Sequence, residues 1–150
     1  MHSLRENIAT VADFTWPVRV YYEDTDHGGV VYYANYLKFM ERARTEWLRA
    51  RGVEQDRLIH DLGVLFAVRS AQLDYLKPGR FNQQLLVSAR VVETGKASLT
   101  FDQAVTLQTG GEESDEVLCR GQIKIACIDA NSLRPRAIPA AIRQEIFGDG

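Results

Sequence analysis

The sequence predicts an α+β fold in which an antiparallel sheet of about five strands wraps around one long central helix. Apolar residues recur with helical spacing in only one long stretch, and they alternate with polar residues in the stretches that follow it. Turn-forming residues separate these alternating stretches. Strands joined by short turns pair antiparallel, and a sheet with a single apolar helix must curl over that helix to cover it.

The first strand is predicted over residues 15–23, which are rich in β-branched and aromatic side chains. Residues 1–14 are expected to form a loose N-terminal arm, and residues 15–150 a single domain, because the sequence contains no repeat and no linker. The turn formers EDTDHGG end the first strand.

The long helix is predicted from about residue 33 to residue 51, with Gly52 as its stop signal. A shorter helix over EQDRLIHDLG is expected to end at Gly63. The apolar stripe of the long helix needs a sheet to lie on. This stripe consists of Tyr36, Leu37, Met40, Ala43, Trp47 and Leu48.

The remaining chain reads as four strands in a meander, followed by a short helix that begins at Pro139. The turn ETGK and the charged tip QTGGEESDE separate the later strands. One sheet face and the edges stay incompletely covered, which predicts association through them. The predicted strands occupy residues 64–75, 85–91, 99–107 and 117–127.

The composition excludes several classes of function. Lys and Arg number 18 against 20 Asp and Glu, so no excess of positive charge is present to neutralise a nucleic acid backbone. The first residues, MHSLRENIATVADF, carry charges and lack the apolar core of a signal peptide. No stretch approaches the roughly 20 apolar residues of a membrane helix. We therefore expect a cytoplasmic protein without membrane insertion.

Cysteine and histidine spacing gives no indication of a metal site. Cys119 and Cys127 lie in one predicted strand, about 26 Å apart, which is too far for a disulfide. We interpret both as buried packing groups. The chain has three histidines, and their spacing from the cysteines does not match a zinc site. No metal and no cofactor are expected.

Candidate chemistry concentrates in residues 21–33, YYEDTDHGGVVYY, which lead from a strand through a glycine-containing loop into the long helix. Unpaired N–H groups at a helix start carry partial positive charge and can hold an oxyanion. A carboxylate beside them can attack a polarised carbonyl or activate a water against it. Spacing alone equally allows Asp24 or Asp26 to be only a loop or helix cap.

The segment YYEDTDHGGVVYYANYLKFMERAR resembles the signature of the 4-hydroxybenzoyl-CoA thioesterase family of hotdog-fold proteins. It is most similar to the Tol-Pal-associated acyl-CoA thioesterase branch, and LKPGRF and LRPRAIP are also similar to family segments. The resemblance implies a hotdog fold, hydrolysis of an acyl-CoA to free acid and CoA, and an active site at a dimer interface. It also implies a homodimer or homotetramer. Partners in an envelope complex are suggested by this resemblance only.

Four residues of the loop take roles from this resemblance. Asp26 matches the catalytic carboxylate, as either nucleophile or general base, and Tyr22 matches the tyrosine four residues before it. The backbone N–H of Tyr33 would polarise the thioester carbonyl, and Gly29 would adjoin the substrate. The Tol-Pal branch usually has histidine at the position of Tyr33, so an imidazole is absent there.

Three basic residues resemble the positions that contact the phosphates of CoA in this family. Lys96 lies in the ETGK turn, and Arg134 and Arg136 lie in LRPR. Each of them is equally well interpreted as a solvated turn charge.

Other acidic and imidazole groups leave alternatives open. Some hotdog thioesterases use a helix glutamate, which makes Glu41 and Glu46 candidates, although their spacing from Lys38 and Arg49 favours surface ion pairs. His27 is predicted to face solvent. An alternative enzyme of this fold is a hotdog dehydratase. It would need a catalytic histidine with a carboxylate, and none of the three histidines of this chain has a suitable position in the sequence. A non-catalytic acyl-CoA-binding or envelope-complex module is the remaining alternative.

Overall fold

The computed structural model describes residues 14–109 and 112–148, and it describes residues 112–115 by their backbone only. Within these ranges the chain forms one five-stranded sheet and one long helix, which confirms the predicted α+β arrangement. Of the predicted arm over residues 1–14, residues 1–13 lie outside the described residues, and Phe14 belongs to the first strand instead. The elements are β1 Phe14–Arg19, α1 Asn35–Ala50, β2 Val64–Tyr75, β3 Gln84–Thr94, β4 Ser98–Thr109, β5 Glu112–Asp129 and α2 Ala140–Phe147.

The strand order across the sheet is β1-β3-β4-β5-β2, and all neighbouring strands pair antiparallel. The predicted four-strand meander is wrong in its first step, because β2 pairs with β5 at the far edge, with Leu65 opposite Ile128. Residues 76–83 connect β2 to β3 and include Pro78. This connection is longer than a typical hairpin loop of two to five residues, so it can carry the chain across the sheet.

The apolar stripe of α1 packs against the sheet and forms the core. Phe39, Met40 and Ala43 have no exposed surface, and the Trp47 ring meets the Phe101 ring edge-on at 5.1 Å. Burial of large apolar side chains at this interface contributes about 1.5–3 kcal/mol each. The predicted stripe is therefore confirmed, except that its member Leu37 is exposed.

The structure corrects the predicted boundaries around the loop. The first strand ends at Arg19 rather than at residue 23, because the Asp24 carboxylate accepts the Tyr21 N–H at 2.8 Å and the chain turns into a short 3₁₀ helix, Tyr22–Asp24. The long helix begins at Asn35, two residues later than predicted.

Of the smaller elements, the helical segment before Gly63 agrees with the sequence prediction, and two others differ from it. One helical turn, Gln55–Arg57, continues into a π-helical turn, Leu58–Leu62, which Gly63 ends at a φ of 67°. Pro139 precedes the first turn of α2 rather than lying within it, contrary to prediction. The predicted charged tip over residues 108–116 is shorter than expected, since strand pairing continues through Thr109.

Cys119 and Cys127 are both buried free thiols, as predicted. Burial is the main cause that raises the pKa of Cys119 to about 12 and also raises the pKa of Cys127. In the described ranges, no helix has the length and apolar character needed to cross a membrane.

Candidate functional site

Residues 25–31 form a tight hairpin directly before the start of α1. Thr25 pairs with Val31, and the Asp26 N–H donates to the Val30 carbonyl at 2.9 Å. The Gly29 N–H donates to the Asp26 carbonyl at 3.1 Å, and Gly29 has a φ of +77°. The sequence folds this way because glycine adopts the left-handed backbone that closes such a turn without a steric penalty.

The connection between β2 and β3 anchors this hairpin. The Val31 N–H donates to the Gly79 carbonyl at 2.8 Å, and the Phe81 N–H donates to the Gly29 carbonyl at 3.1 Å. The Gly79 N–H in turn donates to the hydroxyl of Tyr36 at 2.8 Å. Burial raises the pKa of Tyr36, so this hydroxyl stays protonated at neutral pH. The hairpin is thus fixed to the buried face of α1.

The two aspartates that the sequence left undecided have different environments. Asp24 is buried: its carboxylate accepts the Tyr21 N–H, and its carbonyl accepts the Tyr32 N–H and the Asn35 side-chain amide, both at 2.9 Å. Asp26 is exposed, and its Oδ1 accepts one hydrogen bond, from the Gly28 N–H at 3.1 Å. Asp24 therefore holds the loop together, whereas the Asp26 carboxylate faces solvent.

The start of α1 offers unused backbone donors. In residues 14–109 and 112–148, the N–H groups of Tyr33 and Ala34 donate to no acceptor. The Tyr33 side chain is exposed and packs against the rings of Tyr32 and Tyr75, with centroids 4.9 and 5.7 Å apart. Unpaired amides at a helix N-terminus are suited to hold an oxyanion.

Two further loop residues point outward. The ring of Tyr22 is 79% exposed and meets the Phe81 ring edge-on at 5.8 Å. Its carbonyl accepts the Thr25 hydroxyl at 2.7 Å, but no hydrogen bond joins its own hydroxyl to Asp26 in the described part of the chain. The structure therefore does not bring the Tyr22 hydroxyl to the candidate carboxylate. His27 is exposed, as predicted.

Substitution of Gly29 by alanine is expected to lower the free energy of unfolding by about 1–2 kcal/mol. No atom lies within 4 Å of the added Cβ, so the cost arises from the positive φ alone. Gly28→Ala is the matched control, because the φ of Gly28 is not positive and its nearest neighbour lies at 3.7 Å. Chemical denaturation of both variants measures the difference, and an equal stability of the two would contradict this explanation.

The three predicted phosphate-contacting residues lie near the C-terminal end of β3, whereas the Asp26 hairpin lies near its N-terminal end. The Lys96 carbonyl accepts the Ile138 N–H at 3.0 Å, so the turn of Lys96 adjoins the segment of Arg134 and Arg136. The strand β3, with 11 residues and a length of about 33 Å, runs from the side of the sheet near the Asp26 hairpin to this turn. Within one chain, the structure does not bring these basic residues to the candidate carboxylate.

Arg136 also has a structural role. Its guanidinium donates to the Leu62 carbonyl at 3.2 Å and pairs with Asp129 at 3.4 Å. Backbone N–H donors of Ser132 and Asn131 are the main cause that lowers the pKa of the Asp129 carboxyl. Arg134 and Lys96 are exposed.

A cleft of about 410 Å³ runs along the outer flank of α1, between that helix and strands β2 and β5. Phe66 lies in the wall of this cleft, whereas the Trp47 side chain is part of the core. Lys38 and Glu41 also line the cleft and do not form the predicted ion pair among the described residues. The predicted Glu46 pair with Arg49 is present at 3.0 Å.

Sequence reasoning missed a buried polar pair, which Arg44 in the wall of this cleft forms with Gln103 of β4. Arg44 Nη1 donates to Gln103 Oε1 at 3.0 Å, and both side chains are buried. Burial lowers the pKa of Arg44 to about 10. The sequence spacing could have predicted that Arg44 is buried. Arg44 follows Met40 by four residues and precedes Leu48 by four, so it lies on the edge of the buried stripe.

No three His, Cys, Asp or Glu side chains group closely enough to hold a metal ion in the described ranges. The site presents an exposed carboxylate on a hairpin, followed by a helix start whose first amide donors have no acceptor among the described residues. Such an arrangement can activate a nucleophile and stabilise negative charge on a carbonyl oxygen.

Comparison with known proteins finds relatives in both sequence and fold. The family model described as Thioesterase superfamily matches residues 28–114. The acyl-CoA thioesterase YbgC of Haemophilus influenzae is 38% identical over 130 residues, which cover 87% of this chain and 91% of that protein. A probable thioesterase from Bartonella henselae superposes with a TM-score of 0.77 at 29% identity, over 85% of this chain and 100% of that one. A 4-hydroxybenzoyl CoA thioesterase in complex with 4-hydroxybenzoyl CoA shares the fold, with a TM-score of 0.79, 18% identity, and 90% and 99% coverage.

The curled five-stranded sheet, its single long helix and these structural neighbours define a hotdog-fold protein. The chain belongs to the Thioesterase superfamily. Both statements confirm what the resemblance of the loop segment implied.

Proposed function

We propose that this protein is an acyl-CoA thioesterase that hydrolyses a thioester to a free acid and CoA. Membership of the Thioesterase superfamily and the similarity to the acyl-CoA thioesterase of H. influenzae support the class of reaction. The observation that carries the proposal is structural. One rigid hairpin presents the exposed Asp26 carboxylate and leads directly to a helix start whose Tyr33 amide has no acceptor in the described residues.

Each group has a distinct part in the proposed reaction. The Asp26 carboxylate either attacks the thioester carbonyl or removes a proton from a water that attacks it. The Tyr33 N–H donates to the carbonyl oxygen and stabilises the negative charge that develops there. Gly29 leaves the main chain open to the substrate, because no side chain projects from this position. Thiolate is a good leaving group, so these residues suffice without a cofactor or a metal.

We also infer that two chains share each site. Lys96, Arg134 and Arg136 lie about 33 Å along β3 from the Asp26 hairpin. If they hold the phosphates of CoA, a second chain must provide them. The edge strand β2 has one unpaired side and exposes Val68 and Tyr75, which suits it for an interface. Sedimentation tests this inference, and a monomer at working concentration contradicts it.

The free thiols of Cys119 and Cys127 fit a reducing compartment, and we propose a cytoplasmic location. Localisation of a tagged chain by cell fractionation tests this assignment.

The experiment that tests the proposed function measures thiol release from short, long and aromatic acyl-CoA substrates. We expect turnover of at least one class, and the preferred class identifies the acyl group. Failure to release thiol from every substrate, combined with tight binding of acyl-CoA, would favour the alternative of a non-catalytic binding module.

A further inference from the structure

A buried cation forms part of the wall of the cleft between α1 and strands β2 and β5. Arg44 is 6% exposed, and its guanidinium has five N–H donors. Among the described residues it donates a single hydrogen bond, to Gln103 Oε1 at 3.0 Å. The other donors of this guanidinium have no protein acceptor in the described chain and are not sealed from the open cleft. An acceptor that enters the cleft can therefore reach them.

The rest of the cleft suits an acyl chain. Its volume of about 410 Å³ falls within the range of roughly 300–1,000 Å³ that is typical of small-molecule sites. Lys38 and Glu41, the other charged residues of the lining, are exposed and carry opposite charges. The Glu41 carboxylate also attracts the Arg44 guanidinium and partly offsets the effect of burial on the pKa of Arg44. The apolar wall of the cleft consists of Leu37, Leu48, Phe66, Val68, Ile123 and Ile125.

We propose that this cleft takes the acyl group of the substrate and that Arg44 binds a carboxylate at the far end of that group. The inference rests on the proposed function and adds a substrate class to it: dicarboxylic acyl thioesters. A guanidinium can donate two parallel hydrogen bonds to a carboxylate, whereas a terminal methyl group accepts none. Although burial lowers the pKa of Arg44 to about 10, the side chain remains charged at neutral pH.

The position of Arg44 along α1 sets the length of this acyl group. Gln103 Nε2 also donates to the Met40 carbonyl at 3.1 Å, so the guanidinium lies beside the helical turn of Met40. Seven residues separate Tyr33 from Met40, which is about 10 Å along the helix axis. An extended chain advances roughly 1.2 Å per bond, so about eight bonds, counted from the thioester carbonyl carbon to an oxygen of the far carboxylate, span this distance. Suberyl-CoA, with eight acyl carbons, is the matching probe, and octanoyl-CoA is its counterpart without the carboxylate.

The test compares kcat/KM for these two thioesters in the wild type, in Arg44→Met and in Arg42→Met. Arg42 is the matched control, because it lies exposed on the same helix over the ring of Phe39 and outside the cleft. The wild type is expected to prefer suberyl-CoA by at least about 10-fold. Arg44→Met should lose this preference, because kcat/KM for suberyl-CoA falls at least about 10-fold relative to that for octanoyl-CoA, whereas Arg42→Met should keep the preference.

Equal rates for the two thioesters in the wild type, or an unchanged preference in Arg44→Met, would overturn the inference. If a carboxylate of a second chain already occupies Arg44, the wild type shows no preference and the inference also fails. Should Arg44→Met not fold, Arg44→Lys keeps a positive charge without the forked donor geometry, and a reduced preference is then the expected result.

Calorimetric titration with suberic acid monoamide, which keeps only the far carboxylate, and with octanamide, which has none, separates this inference from the proposed function. Absence of thiol release from every substrate refutes the thioesterase function. Binding of the monoamide at least about 10-fold tighter than octanamide, lost in Arg44→Met, would still support the Arg44 site. Equal binding of the two amides would refute that site.

Discussion

Asp26→Asn is expected to lower kcat/KM for thiol release by at least about 100-fold. The amide has nearly the same shape as the carboxylate, and its oxygen can still accept the Gly28 N–H that Asp26 Oδ1 accepts at 3.1 Å. The hairpin is therefore preserved while the negative charge is removed. An amide can neither attack the thioester carbonyl nor accept a proton from water, so both candidate mechanisms predict the same loss.

His27→Gln serves as the control, because it changes the adjoining exposed residue of the same hairpin. This variant should retain turnover within about threefold of the wild type. Circular dichroism and thermal unfolding of both variants establish that the fold is intact. If Asp26→Asn retains the wild-type rate, the carboxylate assignment is wrong. Glu41, which lines the cleft, then becomes the first group to replace, followed by Glu46.

Gln103→Leu is expected to lower the free energy of unfolding by about 3 kcal/mol. Gln103 is 1% exposed and is the only described hydrogen-bond acceptor for the guanidinium of Arg44. Its amide also donates to the carbonyls of Met40 and Ser88, each at 3.1 Å. Leucine fills a similar volume but leaves a buried charge without a partner. Urea denaturation at matched protein concentration measures the change.

Gln122→Leu is the matched control, because Gln122 lies exposed on the neighbouring strand β5. Its substitution should change stability by no more than about 0.5 kcal/mol. Adding Arg44→Met to Gln103→Leu should cost less than the sum of the two single changes, because the double variant has no unpaired charge. A stable Gln103→Leu protein, or strictly additive costs, would contradict the proposed role of this pair.

The sequence by itself determined the elements and the position of the candidate loop. Helical spacing identified α1 and its buried stripe, and alternation located β2 with the bounds that the structure shows. These patterns are local, because they report which face of one element is apolar. The hairpin around Asp26 was equally accessible, since its glycines and its place before a helix are visible in the chain.

Only the tertiary structure decided how the elements meet. Alternation does not name the partner of a strand, so the pairing of β2 with β5 depended on the crossing made by residues 76–83. The same long-range pairing set Lys96 and Arg136 far from Asp26, although all three match one family pattern. The burial of Arg44 likewise arose from β4, which brings Gln103 under α1. Hydrogen bonds and packing between segments distant in sequence decide these features, and the periodicity of a single segment does not predict them.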